Sequence, residues 1–408
     1  MWSPRSPEVS GFHDGGLWRR CRGAAGPVAA DNVGMTREST ARVILAPDKF
    51  KGSLAAPEVA AALAAGLRRS APEAEIRQVP VADGGDGTVE AFVAAGWTRV
   101  ELTAPGPTGV PRRTSYARYG ATAVVELAAV VGLAILPVGQ LDPLHASTFG
   151  LGVVLAHAMD HGVTEIVLGL GGSASTDGGA GMLQALGVRV SDAEGQELPR
   201  GGTVLARAAR LDRSALHPGV AGTRFTLACD VDNPLLGPTG AAAVYAPQKG
   251  AGPTEVGVLE SALATWAELV GPEFARHPGA GAAGGTGFGA LAVLGARVRS
   301  GIEVVLELLD FPALLGNATL LVTGEGSLDR QSLHGKAPIG VCAAARKADV
   351  PVVAVAGRTL LAPDEIRAAG FADSYALAEL EPDPERSMAQ AATLLERVGA
   401  RIAAEWLG

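Results

Sequence analysis

Residues 41–57, "ARVILAPDKFKGSLAAP", decide the architecture. "ARVILAP" (41–47) is a short apolar run bounded by polar residues and reads as a buried strand. The polar loop "DKFKGSLAA" follows. Pro57 then opens "PEVAAALAAGLRRS", in which Val59, Leu63 and Leu67 recur every four residues on one helical face. "EIRQVPVADGG" (75–85) returns as a second strand. A strand, a helix and a strand in this order form a crossover unit, which predicts a parallel, doubly wound α/β sheet.

The same grammar recurs near the other end. "ATLLVTGEG" reads as a strand, residues 336–348 as a helix, "VPVVAVAG" (350–357) as a strand and "FADSYALAE" (371–379) as one more. The middle reads differently. Strand-like "AVVEL", a helix over 147–161, strand "EIVLGLGG" (165–172) and helix "AGMLQALG" (180–187) give way to turn-rich segments. "RFTLACDVDNPLLGPTGAAAVYAPQKGA" (224–251) then reads as a strand with long polar loops. The pattern predicts a flavodoxin- or Rossmann-like parallel-sheet domain built from both chain ends, residues 41–97 and 286–408. A second α/β domain, residues 98–285, is inserted between them. Residues 1–40 are rich in Gly, Pro, Trp and Arg without apolar periodicity, and are expected to be a disordered extension upstream of a true start at Met35.

The chain has 408 residues, enough for two or three domains, and its 48% hydrophobic content supplies a sizeable core. A net charge of −8 argues against a nucleic-acid surface, which needs a basic footprint. The three cysteines, Cys21, Cys229 and Cys342, are scattered, so neither a disulfide framework nor a zinc site is expected, and a reducing cytoplasm fits. "LAAVVGLAILPVGQL" (127–141) is interrupted by Pro137 and is shorter than the roughly 18–20 residues of a membrane span. It is expected to be buried core. No membrane partner is expected, and a homo-oligomer stays open.

Five polar or glycine-rich loops mostly follow apparent strands, where open α/β sheets place their ligands. In "APDKFKGS", Lys51 beside Asp48 and Lys49 suits an anionic substrate at the carboxyl edge of a central strand. In "VADGGDGT", Asp83 and Asp86 are residue types that more often end a strand or cap a turn. In "GLGGSASTDGGAG", Gly171, Gly172 and Ser173 leave backbone amides uncovered for an oxyanion, and Asp177 either caps the next helix or carries chemistry. "ACDVDNP" offers Asp230, Asp232 and Asn233, and "TGEGSLDRQSLHGKAP" (323–338) packs acids and a lysine into one turn. "GAGAAGGTGFG" (279–289) contains a formal GxGxxG with no clear strand before it. It is either a tight-packing hinge or a loop over nucleotide phosphates, in which Gly284 and Gly285 would take part. A Walker A sequence is absent, and no histidine has metal-ligand spacing.

Taken together, "ILAPDKFKGSL", "VPVADGGDGT", "LGLGGSASTDGGAGMLQALG", "ACDVDNPLLGPTGAAAVYAPQKGA" and "LLVTGEGSLDRQSLHGKAPIGV" resemble the signature segments of the bacterial-type glycerate kinase family, in order and spacing, from about residue 42 onward. The resemblance implies ATP- and Mg2+-dependent phosphorylation of D-glycerate, with 2-phosphoglycerate favoured over 3-phosphoglycerate. It also implies a flavodoxin-like domain with a different inserted domain. The chain departs from the family at Lys49, where serine is usual, in "ASTD" (174–177), where "ATND" is usual, and at Ser327, where arginine is usual. Arg330 is the nearby cation that would replace the last.

On this reading Lys51 neutralises the transferred phosphoryl group or the glycerate carboxylate. Asp230 is the expected base for the substrate hydroxyl, with Asp177 as rival. Asp48, Asp83, Gly171, Gly172, Ser173 and Asn233 surround the substrate. Glu325 and Asp329 hold magnesium through water or hold the nucleotide ribose, and Lys336 holds its phosphates. Phosphoryl transfer asks for this mixture of positioning groups and cations because its transition state is loose and highly charged. The competing readings are an NAD-dependent hydroxy-acid dehydrogenase, favoured only by the GxGxxG, and a non-catalytic small-acid sensor, disfavoured by the density of carboxylates.

Overall fold

The computed structural model describes residues 40–333 and 335–408. The expectation of a disordered extension starting upstream of Met35 lies outside the described residues. Residues Thr40–Gly408 form one compact unit that holds two large sheets.

The five-stranded sheet is parallel throughout. Its strands, in spatial order, are Glu75–Gln78, Arg42–Pro47, Leu320–Leu328, Val352–Thr359 and Asp373–Ala376. In order of appearance along the chain this is 2-1-3-4-5, the flavodoxin order. The inner strand Arg42–Pro47 is apolar because it is covered on both faces: Val43, Ile44, Leu45 and Ala46 are fully buried. The helix Ala56–Ser70 begins where Pro57 pre-sets the first turn, and Glu58 accepts the Ala55 N–H at 2.7 Å. Its Val59, Leu63 and Leu67 face a core shared with the C-terminal helix Ala391–Trp406, which is how the two chain ends meet.

The six-stranded sheet runs Arg297–Arg299, Arg224–Ala228, Glu165–Gly169, Thr122–Glu126, Pro111–Tyr119, Thr98–Pro105. Its first four strands are parallel and the last two antiparallel. One buried cluster joins the sheets: Ile44 and Leu321 of the smaller, Val124 and Val167 of the larger, and Phe92 and Phe311 from helices between them. Such shared apolar burial, worth about 1.5–3 kcal/mol per large side chain, ties the two sheets into a single body.

Two expectations change. The passage out of the inserted segment, placed after residue 285, falls inside the helix Ala282–Leu294, and Arg297–Arg299 still pairs with the larger sheet. Of the apolar run 127–141, only the helix Leu127–Val131 is core; Val138 and Leu141 are exposed, because Gly132 ends the helix and Pro137 keeps the chain in a surface loop.

Candidate active site

The smaller sheet reverses its winding between Arg42–Pro47 and Leu320–Leu328, so the loops after these two strands diverge and leave a crevice. The carboxyl ends of Thr122–Glu126, Glu165–Gly169 and Arg224–Ala228 face the same region. The loops after the first two close the crevice into a cleft of ≈ 1310 Å³. Lys51, Asp48, Asp83, Gly171, Gly172, Ser173, Glu325, Asp329 and Lys336, all singled out in the sequence, line it. A smaller side cavity of ≈ 220 Å³ adjoins it, sharing Asp83, Gly85, Gly171, Gly172, Ser173 and Gln248, and Asp230 lines this second space.

Backbone approach brings the loops together. A Cβ on Gly171 would stand 2.7 Å from the Gly85 Cα, so only glycine lets loops 83–87 and 170–173 touch. Asp48 is almost fully buried, and its Oδ1 accepts the Lys49 N–H at 2.6 Å. Burial, opposed by Lys49 and reinforced by Asp83 and Glu325, pushes its carboxyl up to about 7. Burial likewise raises Glu325, against the pull of Ser332 and Lys336. Glu325 Oε1 is buried without a hydrogen-bond partner, and Lys336 Nζ lies 3.8 Å from Oε2. Lys336 caps the helix Ala337–Arg346, where the exposed amides add positive character. Asp230 stands at a rim: its carboxylate stays open to solvent, yet the surrounding protein raises it, and Oδ1 accepts the Gly301 N–H at 2.9 Å.

Four expected site residues fall elsewhere. Asp177 is fully buried and lines neither space. Its carboxylate accepts from Thr148 N at 2.7 Å, Thr148 Oγ1 at 2.9 Å, and Gly179 N and Gly181 N at 3.2 Å each. It is therefore a brace for the turn into the helix Ala180–Ala185 and has no opening toward a substrate. Asn233 ties its own loop, donating to Thr239 O at 2.8 Å and accepting from the Tyr245 hydroxyl at 2.5 Å. Gly284 and Gly285 form a buried kink with φ of 67° and 86°; a Cβ on Gly284 would meet Ser175 O at 2.0 Å. They are the packing hinge, and no strand precedes them, only the 3-10 turn Pro272–Arg276. The dinucleotide reading fails with them.

Ser327 is also resolved. Arg330 pairs with Glu365 at 3.1 Å and does not line the cleft, whereas Arg358 does, donating from Nε to Ser327 Oγ at 3.3 Å. The cation beside Ser327 comes from the next strand.

Two residues escaped sequence reasoning. Glu126 lines the cleft nearly buried, accepts the Val89 N–H at 3.1 Å and is raised by burial to about 7. Lys249 is 2% exposed, lines the side cavity, and donates to the Ser175 carbonyl. Each is the one charged residue in a long uncharged stretch, Glu126 between Arg118 and Asp142 and Lys249 between Asp232 and Glu255. That isolation was the available signal. Among the described residues, no three His, Cys, Asp or Glu are grouped to hold a metal ion, and no helix is long and apolar enough to cross a membrane.

The model of the glycerate kinase family matches residues 43–407. The chain belongs to this family. Family members similar to it include a protein of Bacillus subtilis (strain 168) named glycerate kinase, 41% identical over 370 residues, covering 89% of this chain and 97% of that protein. Another is a protein of Escherichia coli (strain K12) named glycerate 2-kinase, 43% identical over 326 residues, covering 78% and 85%. The crystal structure of a glycerate kinase 2 from Salmonella typhimurium LT2 superposes with a TM-score of 0.78 at 39% identity, covering 90% of this chain and 98% of that one. Glycerate kinase family members are phosphotransferases, and the flavodoxin-like sheet with its larger companion is the architecture this chain folds into.

Proposed function

We propose that the chain transfers the γ-phosphoryl group of ATP to D-glycerate with the help of Mg2+, and that the product is 2-phosphoglycerate. One observation carries this reading: a single cleft collects Lys51, Lys336, Asp48, Asp83 and Glu325 from the carboxyl ends of the smaller sheet, in a member of the glycerate kinase family. The 2-position is supported by the name of the Escherichia coli relative.

Positioning and charge neutralisation are what phosphoryl transfer demands of a protein. The larger cleft takes the nucleotide. Lys336, at the start of the helix Ala337–Arg346, faces its phosphates, and Asp329 and Glu325 face the ribose or the metal. The unpartnered Glu325 Oε1, close enough to Asp48 and Asp83 for their charges to interact, fits a hard cation, since magnesium takes one or two carboxylates together with substrate phosphates. Bound there, magnesium supplies neutralisation of phosphate charge. Lys51 offsets the charge of the group in transit. The acid lies in the side cavity, and its hydroxyl oxygen forms the new bond to phosphorus while its proton passes to the Asp230 carboxylate and the bond to ADP breaks. The amides of 171–173 border both spaces, where the group must cross.

The test is an assay with ATP and D-glycerate read by phosphorus NMR. A product doublet, from one neighbouring hydrogen, is expected of 2-phosphoglycerate. A triplet moves the reaction to the 3-hydroxyl, and absence of transfer overturns the proposal.

A further inference from the structure

We infer that Lys249 anchors the carboxylate of the three-carbon acid in the side cavity, leaving the hydroxyls to Asp83 and Asp230. This rests on the proposed glycerate kinase reading and adds the group that sets recognition of the acid.

The cavity's size comes first. Its ≈ 220 Å³ equals about seven water volumes, room for a small hydroxy acid and far too little for a nucleotide. Its charges are unevenly shared. Lys249 is the only cation lining it among the described residues, while Asp83 and Asp230 act on each other. The carboxylate whose charge acts on Lys249 is that of Asp177, which lines neither space. The cavity therefore offers one cation and two carboxylates that, among the described residues, form no ion pair with it within 4.0 Å, matching a molecule with a carboxylate on one carbon and hydroxyls on the next two.

The ammonium is also under-partnered. Lysine carries three donors. Lys249 gives one to the Ser175 carbonyl and forms no ion pair within 4.0 Å among the described residues. Asp177 is committed to the amides and hydroxyl around it. A buried charge without a contact partner is costly, and an incoming carboxylate removes that cost. The fold spends effort to hold it. The turn Pro247–Lys249 puts the side chain inward, and the kink at Gly284 makes room, since a Cβ there would lie 2.9 Å from Nζ.

The anchor has a proton signature. Burial lowers the free ammonium to about 7, with Asp177 opposing. The other titratable groups on the cavity are Asp83, Asp230, Cys229 and Tyr245. The Cys229 thiol, at about 11, and the raised Tyr245 hydroxyl stay protonated at pH 8. A carboxylate seated on Lys249 holds it charged, so binding at pH 8 takes up a proton.

The experiment is calorimetry of D-glycerate binding to the full chain in two buffers of different ionisation enthalpy, with steady-state kinetics of K249M. The wild type is expected to take up most of about one proton per glycerate at pH 8 and almost none at pH 6. K249M is expected to raise KM for glycerate about 100-fold, with KM for ATP within about twofold, and to lose the uptake. A lysine that only braces the turn at Ser175 would leave binding proton-neutral. Proton-neutral binding by the wild type, or a normal glycerate KM in K249M, overturns the inference while leaving the kinase reading intact. If K249M does not fold, the wild-type uptake alone decides. A wild type that neither binds nor phosphorylates glycerate overturns the kinase reading and the inference with it.

Discussion

Glu325 Oε2 and Lys336 Nζ stand 3.8 Å apart, so the two ends of the loop 323–338 close on each other at the cleft. The pair leaves Glu325 Oε1 buried and unpartnered. Removing the charge by Glu325→Gln is expected to weaken divalent-ion binding about 10–100-fold, measured as Mn2+ affinity by water-proton relaxation. Unchanged Mn2+ affinity would remove Glu325 from the metal site.

Asp230 has the position and the raised proton affinity of a base facing the side cavity. Asp230→Asn should lower kcat by about 10²–10⁴-fold with little change in glycerate KM. Loss confined to KM would make Asp230 a binding group.

Asp177 should behave in the contrary way. Its carboxylate satisfies buried donors of Thr148, Gly179 and Gly181, so Asp177→Ala strands several of them and should cost about 3 kcal/mol or more in urea unfolding. A variant of normal stability without turnover would return Asp177 to the chemistry.

Gly284→Ala sets a Cβ 2.0 Å from Ser175 O at a φ of 67°. It is expected to lower stability by about 2–4 kcal/mol, read by thermal melting, with ATP affinity of the folded fraction unchanged. A selective loss of ATP affinity would restore these glycines to a phosphate loop.

Asp48 and Glu126 are both raised to about 7 in the folded chain from ordinary values of 3.8 and 4.5. The folded state then binds more protons than the unfolded one between those limits, so their contribution to stability is full below pH 4 and is lost as pH rises through 7. Asp48→Asn and Glu126→Gln should each raise Tm at pH 7.5 and leave it nearly unchanged at pH 4. Equal Tm values at both pH values would show that neither group is held protonated by burial.

Much of the fold could be read from local pattern. "ARVILAP", the helix from Pro57 and "VPVVAVAG" announce themselves because buried parallel strands must be apolar and amphipathic helices must repeat. The loops after those strands could be nominated because ligands gather at such carboxyl ends, and Lys51, Asp48, Glu325 and Lys336 do share one cleft. Sequence could not separate a carboxylate facing that cleft from one turned inward. Asp230 and Asp177 both follow strand-like segments, yet one lines the side cavity and the other is enclosed by backbone amides.

Residue type and spacing along the chain were enough for the strand–helix–strand units of the smaller sheet, its parallel pairing and the family, while the antiparallel strands Thr98–Pro105 and Pro111–Tyr119 were not read from them. Only the tertiary structure decided that Gly284 is a packing hinge, that Arg358 rather than Arg330 stands beside Ser327, and that Lys249 is buried against the side cavity. Burial and direction are properties of contacts between segments far apart in the chain, so the isolation of Lys249 among uncharged residues could mark it as unusual but could not say which space it faces.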